Sequence, residues 1–335
     1  MNTVTLEQPG RFILSDTPPP NGPGRGEALV RIRRVGICGT DIHAFIGDQP
    51  YFTYPRILGH ELGVEVLAVG QDVSNVRIGD RCAIEPYLNC EKCIACRTGK
   101  TNCCAELKVL GVHTDGGMRE RIVVPADKLH PSVKLSLDQL ALVETLGIGA
   151  HAVGRAGIEP GEYVLVIGAG PIGLSVVQFA SQAGARVIVS DVNENRLAFC
   201  REMYGVETVI GGSVERVREM TDGDLPTAVF DATGSPKSME AAFEYVAPGG
   251  RLIFVGLVQA DITFSDPHFH KREITLLATR NSTAGDMRRV MALMEGGQID
   301  TAPWITHRAP CTEMIDRFPG WLLPESKTIK AVVQF

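Results

Sequence analysis

A thiol, an imidazole and a carboxylate fall within two short motifs near the start of the chain. Cys38 lies in Gly36-Ile-Cys-Gly-Thr-Asp-Ile-His43, and His60 and Glu61 lie in Leu58-Gly-His-Glu61. These are zinc-ligand types, and three protein ligands leave the fourth tetrahedral position open for water or substrate, as in a catalytic rather than a structural zinc site. Thr40 and His43 stand just behind the thiolate and can handle a proton. For an isolated pair, a buried cysteine and a hydrogen-bonded histidine on ordinary strands would be the plainer reading. The rest of the chain decides against it.

The chain has nine cysteines, five of them between Cys90 and Cys104. Cys90, Cys93, Cys96 and Cys104 are separated by two, two and seven residues, compact enough for four thiolates to close a tetrahedron around one zinc. Such a site has no open position, so this zinc is expected to be structural. The bacterial ferredoxin run places three residues before its last cysteine and a proline after it, whereas here the gap is seven and Ala105 follows. Disulfides are disfavoured in a reducing compartment. Cys82, Cys103, Cys200 and Cys311 read as bystanders, since single cysteines commonly serve as small apolar residues.

A third motif begins at Glu162. An apolar strand leads into Gly168-Ala-Gly-Pro-Ile-Gly173, then an apolar helix and a second strand that ends in Asp191. In a GxGxxG turn the first glycine allows the tight turn, the second lets the backbone approach a pyrophosphate, and the third packs helix against strand. The helix N-terminus then faces the phosphates. Taken alone the glycines are weak evidence. Asp191, at the end of the second strand, supplies the carboxylate that holds a ribose 2′-hydroxyl and repels a 2′-phosphate, which favours NAD over NADP.

These groups need two kinds of scaffold. At 335 residues the chain is too long for one ordinary core and divides into two domains. Residues up to about 140 alternate with a period of two, as in Glu27-Ala-Leu-Val-Arg-Ile-Arg33 and Gly63-Val-Glu-Val-Leu-Ala-Val-Gly70, with turn residues between, which predicts a barrel-like β domain. Beyond, strands alternate with helices: Ala228 to Gly234, a helix after Pro236, Gly250 to Gly256, Ile274 to Ala278, then an amphipathic helix from Asp286 to Glu295. The final stretch, Ile329 to Phe335, alternates again and is expected to return to the first domain. The domains are thus expected at 1–147, with the cysteine lobe at 89–105, at 148–279, and at 280–335 as the return.

The composition is that of an α/β enzyme, with 44% hydrophobic and 21% charged residues. A net charge of -6 without any basic cluster argues against nucleic acid as partner. The first residues lack a signal pattern and the apolar runs are strand-length, so a cytoplasmic protein without membrane spans is expected.

On these motifs, together with Val143-Glu-Thr-Leu-Gly-Ile-Gly-Ala-His151, the chain resembles the zinc-dependent medium-chain dehydrogenase/reductase family from end to end, and within it the polyol branch typified by sorbitol and threonine dehydrogenases. That branch normally has proline where Thr145 stands, and its glutamate, here Glu144, replaces a zinc cysteine of alcohol dehydrogenases. Gly111-Val-His-Thr-Asp-Gly-Gly117, Phe264 to Arg272 and Arg280-Asn281 look most like bacterial sugar-acid dehydrogenases of the L-galactonate 5-dehydrogenase type.

The resemblance implies a Rossmann doubly wound parallel sheet joined to a GroES-like β-barrel, two zinc ions, NAD, and a homodimer or homotetramer. It implies Cys38, His60 and Glu61 as catalytic-zinc ligands, with Glu144 bound directly or through water. By the same resemblance, zinc would acidify the substrate hydroxyl for hydride transfer to nicotinamide, and the proton would leave through Thr40, the ribose hydroxyl and His43. Nucleotide contacts are implied at Gly168, Gly170, Pro171, Ile172, Gly173, Asp191, Arg196, Thr233, Val255, Gly256 and Leu257. Arg280, just past a strand end where α/β folds bind ligands, or His113, is expected to grip a substrate carboxylate. His151 reads as a packed helix histidine. His268 and His270 would share one face of a strand, with packing or an interface preferred to metal binding. The leading reading is a dehydrogenase of a secondary hydroxyl on a sugar acid or polyol. Threonine 3-dehydrogenase is the enzyme rival, and a non-catalytic NAD-binding structural protein the remote one.

Overall fold

In a computed structural model, which describes residues 1–50 and 52–335, the chain forms two compact units. One comprises Met1–Glu144 with Thr283–Phe335, the other Thr145–Ser282.

The first unit is built on a seven-stranded sheet. Its strands run in the order Ile305–Pro310, Lys330–Gln334, Glu27–Gly36, Glu61–Val69, Arg81–Ile84, Leu129–Pro131, and Arg121–Pro125 also pairs with Glu27–Gly36. The C-terminal strand pairs antiparallel with Glu27–Gly36, Val333 opposite Val35, within this unit. Alternation explains the pairing: Ala28, Val30 and Ile32 point to one face and are wholly buried, with Val64 and Val66 of the neighbouring strand beside them. Phe12, Phe318 and Trp321 join the same core.

Two features of this unit position the zinc-type ligands. Gly36 and Glu61 are cross-strand partners, and a Cβ at Gly36 would collide with the Glu61 carboxylate, so only glycine leaves room for it. After Gly36 the chain turns at Cys38, the N-cap of the helix Gly39–Ile46, where the Asp41 carboxylate accepts from the Cys38 amide at 2.9 Å. The four-cysteine lobe carries its own small core of Tyr87, Cys104, Leu107, Val109 and Val112 around a two-stranded ladder, Tyr87–Leu88 with Lys108–Val109.

The second unit is an all-parallel six-stranded sheet in the order Glu207–Ile210, Arg186–Asp191, Tyr163–Ile167, Ala228–Asp231, Arg251–Phe254, Thr275–Ala278. This is the doubly wound order 3-2-1-4-5-6, with its switch point between Tyr163–Ile167 and Ala228–Asp231. Both faces are covered, which is why Val164, Leu165 and Val166 form an apolar run instead of an alternation. Among the described residues no helix is long and apolar enough to cross a membrane.

One expectation fails on local geometry. His268 and His270 lie on a helix, Asp266–Lys271, where positions two apart point to different sides, so they do not share a face. Pro267 in the first turn of that helix marks its start. His268 instead approaches Glu244, Nε2 to Oε2 3.7 Å.

Candidate active site

Strand, turn and helix bring three of the sequence-selected ligands together. One donor atom each from Cys38, His60 and Glu61 lies within 4.8 Å of the others, and His60 and Glu61 are buried. His60 Nδ1 faces Asp41 Oδ1 at 3.9 Å, and neither atom has a hydrogen-bond partner among the described residues. Asp41 is fully buried, and burial raises its carboxyl above the ordinary range against the pull of His60. Burial draws His60 down, but Cys38, Asp41 and Glu144 outweigh it and leave the imidazole well above its usual value. The ring thus sits in a pocket with surplus negative charge. A divalent cation fits such a pocket, and an orienting carboxylate behind a ligating histidine is how metal sites fix the ring.

Two further groups complete this pocket, and the sequence reading did not single them out. Lys330 Nζ lies 2.6 Å and 2.8 Å from the two oxygens of Glu61 and 3.1 Å from the Ile37 carbonyl. Although burial disfavours its charge, Glu61, Cys38 and Glu144 hold the ammonium above its normal pKa. Tyr87 donates its phenol to Glu144 Oε1. Glu144, 5% exposed, is not among the three donors gathered within 4.8 Å, and burial raises its carboxyl. The family resemblance implies Glu144 as a direct or water-bridged ligand; here its carboxylate is engaged by Tyr87.

Thr40 and His43 occupy positions i and i+3 of the helix Gly39–Ile46, neighbours along one face. His43 is exposed, and its Nδ1 lies 2.9 Å from Asp48 Oδ1, a partner just past the helix C-cap. An exposed imidazole beside a carboxylate can exchange a proton with solvent.

The second gathered set is Cys90, Cys93, Cys96 and Cys104, whose sulfurs also lie within 4.8 Å of one another. Amides point at them: Cys90 N to Cys104 Sγ 3.2 Å, Glu106 N to the same sulfur 3.3 Å, and Ala105 N to Cys93 Sγ 3.5 Å. The amides of Ala105 and Cys96 push the Cys93 thiol down to about 6, whereas burial pushes Cys104 up to about 11. Thiolate-stabilising amides are what a four-sulfur metal site requires. Cys103 is exposed, and burial pushes Cys82 and Cys200 up to about 12, as inert thiols.

In the parallel-sheet unit the glycine turn has the geometry its spacing implies. Gly168 adopts φ +98°. A Cβ on Gly170 would meet only Arg196, at 3.9 Å, and one on Gly173 would collide with the Gly168 carbonyl. Pro171 opens the helix Pro171–Gln182, with Gly170 as N-cap. Asp191 accepts from the Ala169 amide at 2.6 Å and the Asn193 amide at 2.8 Å, so the acid is fastened to the turn, with Arg196 4.0 Å away. Thr233 follows the switch-point strand and donates to Asp231 at 2.7 Å. Val255 and Gly256 return amides to the Asp231 carbonyl at 2.9 Å and 3.0 Å, and Leu257 is exposed beyond them.

The remaining selected residues are scattered. His113 is half-buried and accepts at Nδ1 from the Val109 amide, 3.1 Å. Arg280 is exposed and follows Thr275–Ala278, which is the sheet edge, two strands from the switch point. His151 lies on the helix Leu137–Ala156, two turns beyond Glu144.

Residues 24–134 match the model of the alcohol dehydrogenase GroES-like domain, and residues 171–296 that of zinc-binding dehydrogenases. The chain is 39% identical to L-galactonate-5-dehydrogenase of Escherichia coli (strain K12), over 100% of this chain and 99% of the relative. It is 36% identical to D-altritol 5-dehydrogenase of Agrobacterium fabrum, over 95% of each chain. Among solved structures, a short chain alcohol dehydrogenase from E. coli CFT073 complexed with NADH superposes with a TM-score of 0.92 at 28% identity, covering 100% of this chain and 99% of the other.

Proposed function

The chain belongs to the zinc-binding alcohol dehydrogenases with a GroES-like domain, and from that premise we propose that it oxidises a secondary hydroxyl of a sugar acid or polyol, L-galactonate- or L-idonate-like, with NAD as acceptor. The observation that carries the chemistry is the gathered set Cys38, His60 and Glu61, three ligand types that leave a tetrahedral ion one open position. Zinc held there supplies a Lewis acid for the substrate hydroxyl, and nicotinamide supplies the hydride acceptor. The full-length similarity to L-galactonate-5-dehydrogenase supports the substrate class.

The chain's own residues divide the remaining work. Asp41 orients His60, and Lys330 holds Glu61 and offsets its charge. Thr40 accepts the hydroxyl proton as it donates its own to the ribose hydroxyl, and His43, backed by Asp48, delivers a proton from there to water. Gly168, Gly170 and Gly173 form the pyrophosphate cradle, and Asp191 holds the adenosine ribose and disfavours a 2′-phosphate. Arg280 or His113 grips the substrate carboxylate. The four cysteines hold a structural zinc. The protein works in the cytoplasm as a homodimer or homotetramer, formed through the exposed edge strand Thr275–Ala278.

The test is a panel of aldonates, polyols and L-threonine with NAD and with NADP, read by nicotinamide absorbance, alongside zinc analysis. Turnover of an aldonate or polyol with NAD, and two zinc ions per chain to match the two ligand sets, are expected. Preference for L-threonine would replace the substrate assignment, and turnover that survives complete zinc removal would overturn the chemistry.

A further inference from the structure

Tyr87 and Glu144 form a buried pair to which the reaction above gives no task. Tyr87 is 2% exposed and Glu144 5%, and the phenol donates to Glu144 Oε1. Tyr87 cannot follow the carboxylate if it moves. It stands opposite Val109 in the ladder of the cysteine lobe and packs with Cys104, Leu107 and Val112. Glu144 projects from the long helix Leu137–Ala156 within electrostatic reach of His60, Glu61 and Lys330. Yet its oxygens are not among the three donor atoms gathered within 4.8 Å.

A buried carboxylate must be paired, and the strength of that need decides where it points. Lys330 is committed to both oxygens of Glu61 and to the Ile37 carbonyl. For Glu144 two partners compete: the phenol fixed in the lobe, and the cation bound by its neighbours. We propose that Tyr87 is a positioning residue that holds Glu144 off the metal bound by Cys38, His60 and Glu61, and so keeps the fourth coordination position open to substrate; this rests on the zinc-dehydrogenase reading. The four-cysteine lobe then has a second task besides its own folding, because it anchors the phenol that restrains Glu144. Without the hydroxyl, the buried carboxylate loses its hydrogen bond from Tyr87, and the metal is the partner left to compete for it.

The test uses the full-length, zinc-loaded protein and three variants: Tyr87→Phe, Glu144→Gln and the double substitution. A chromogenic chelator reads the release of the accessible zinc, and the slower zinc of the four-cysteine site reports that the lobe has kept its fold. Tyr87→Phe is expected to slow release of the accessible zinc about tenfold, the scale on which groups behind the ligands tune a metal site. In the Glu144→Gln background the same change should alter nothing. The cobalt-substituted Tyr87→Phe protein should show the absorption change of an added oxygen ligand. Release at the wild-type rate or faster, or a slowing that persists in the Glu144→Gln background, overturns the proposal even if the enzyme oxidises sugar acids as expected. Conversely, a slowed release in a protein that reduces no NAD with any panel substrate upholds the role of Tyr87 and removes the substrate assignment.

Discussion

Lys330 and Glu61 stand 269 residues apart in the chain, and the lysine Nζ lies 2.6 Å and 2.8 Å from the two carboxylate oxygens. Both side chains are shut away from water, at 2% and 0% exposure. The pair welds the C-terminal strand to the strand that carries a zinc-type ligand. It also keeps the lysine charged, since Glu61 answers the buried ammonium.

Breaking one side of this pair should cost more than removing it. Lys330→Met leaves Glu61 buried without its counter-charge, a loss of about 3–5 kcal/mol, seen as a fall in Tm of the metal-free protein. Lys330→Met combined with Glu61→Gln should regain much of that loss, because no lone charge remains. If the single and double variants melt together, the ion pair is not what holds the C-terminal strand.

The proposed proton path has its open end at His43, exposed and 2.9 Å from Asp48. His43→Gln keeps the helix and removes the imidazole. We expect kcat to fall about 10²-fold at neutral pH, with the deficit shrinking as the solution becomes alkaline and hydroxide takes the proton directly. A kcat profile parallel to wild type across the pH range would exclude His43 from the path.

What was legible in the sequence was local. Cys38, His60 and Glu61 stand in two motifs whose types announce a cation site, and the four cysteines and three glycines are each gathered within a single short stretch. Lys330 and Tyr87 escaped because their partners lie 269 and 57 residues away, and no spacing encodes a contact made by sheet pairing or by a helix passing a lobe. A faint signal existed: Lys330 opens a strand whose next three residues are all buried, where a charge demands a partner. Asp48 escaped for a different reason, since it lies just past the C-cap of a helix whose length the motif alone does not fix. The i, i+2 spacing of the two histidines around Phe269 puts them on one face only in a strand, and Pro267 starts a helix there.

Asp138 offers a pH dependence with a definite sign. Its carboxylate receives Arg308 at 2.7 Å and Arg34 at 2.7 Å, tying the start of the long helix to two strands of the sheet. Burial raises its pKa, but the two guanidinium groups outweigh burial and hold it below the usual 3.8. A depressed folded-state pKa means that the contribution is complete above the unfolded value and fades as pH falls through the folded one. Asp138→Asn should therefore lower stability near neutrality by about 1 kcal/mol, and the gap from wild type should close below about pH 4. A gap that stays constant down to pH 2.5 in thermal melts would mean that shape, not charge, is what Asp138 contributes.

Arg280 is exposed just beyond the edge strand Thr275–Ala278, and the proposed sugar-acid substrate needs a group that grips its carboxylate. A guanidinium presents two parallel donors to the two oxygens of an aldonate, whereas a neutral polyol offers hydroxyls that gain little from the fork. Arg280→Ala should therefore raise KM for an aldonate about tenfold or more, the scale of one lost charge-assisted hydrogen bond, and leave KM for the matching polyol nearly unchanged, with kcat similar for both. The comparison must be made on the two substrates in one variant, so that any general disturbance of the fold cancels. If both Michaelis constants rise together, Arg280 supports the chain rather than the substrate, and His113, half-buried with Nδ1 already accepting from the Val109 amide, becomes the residue to vary next.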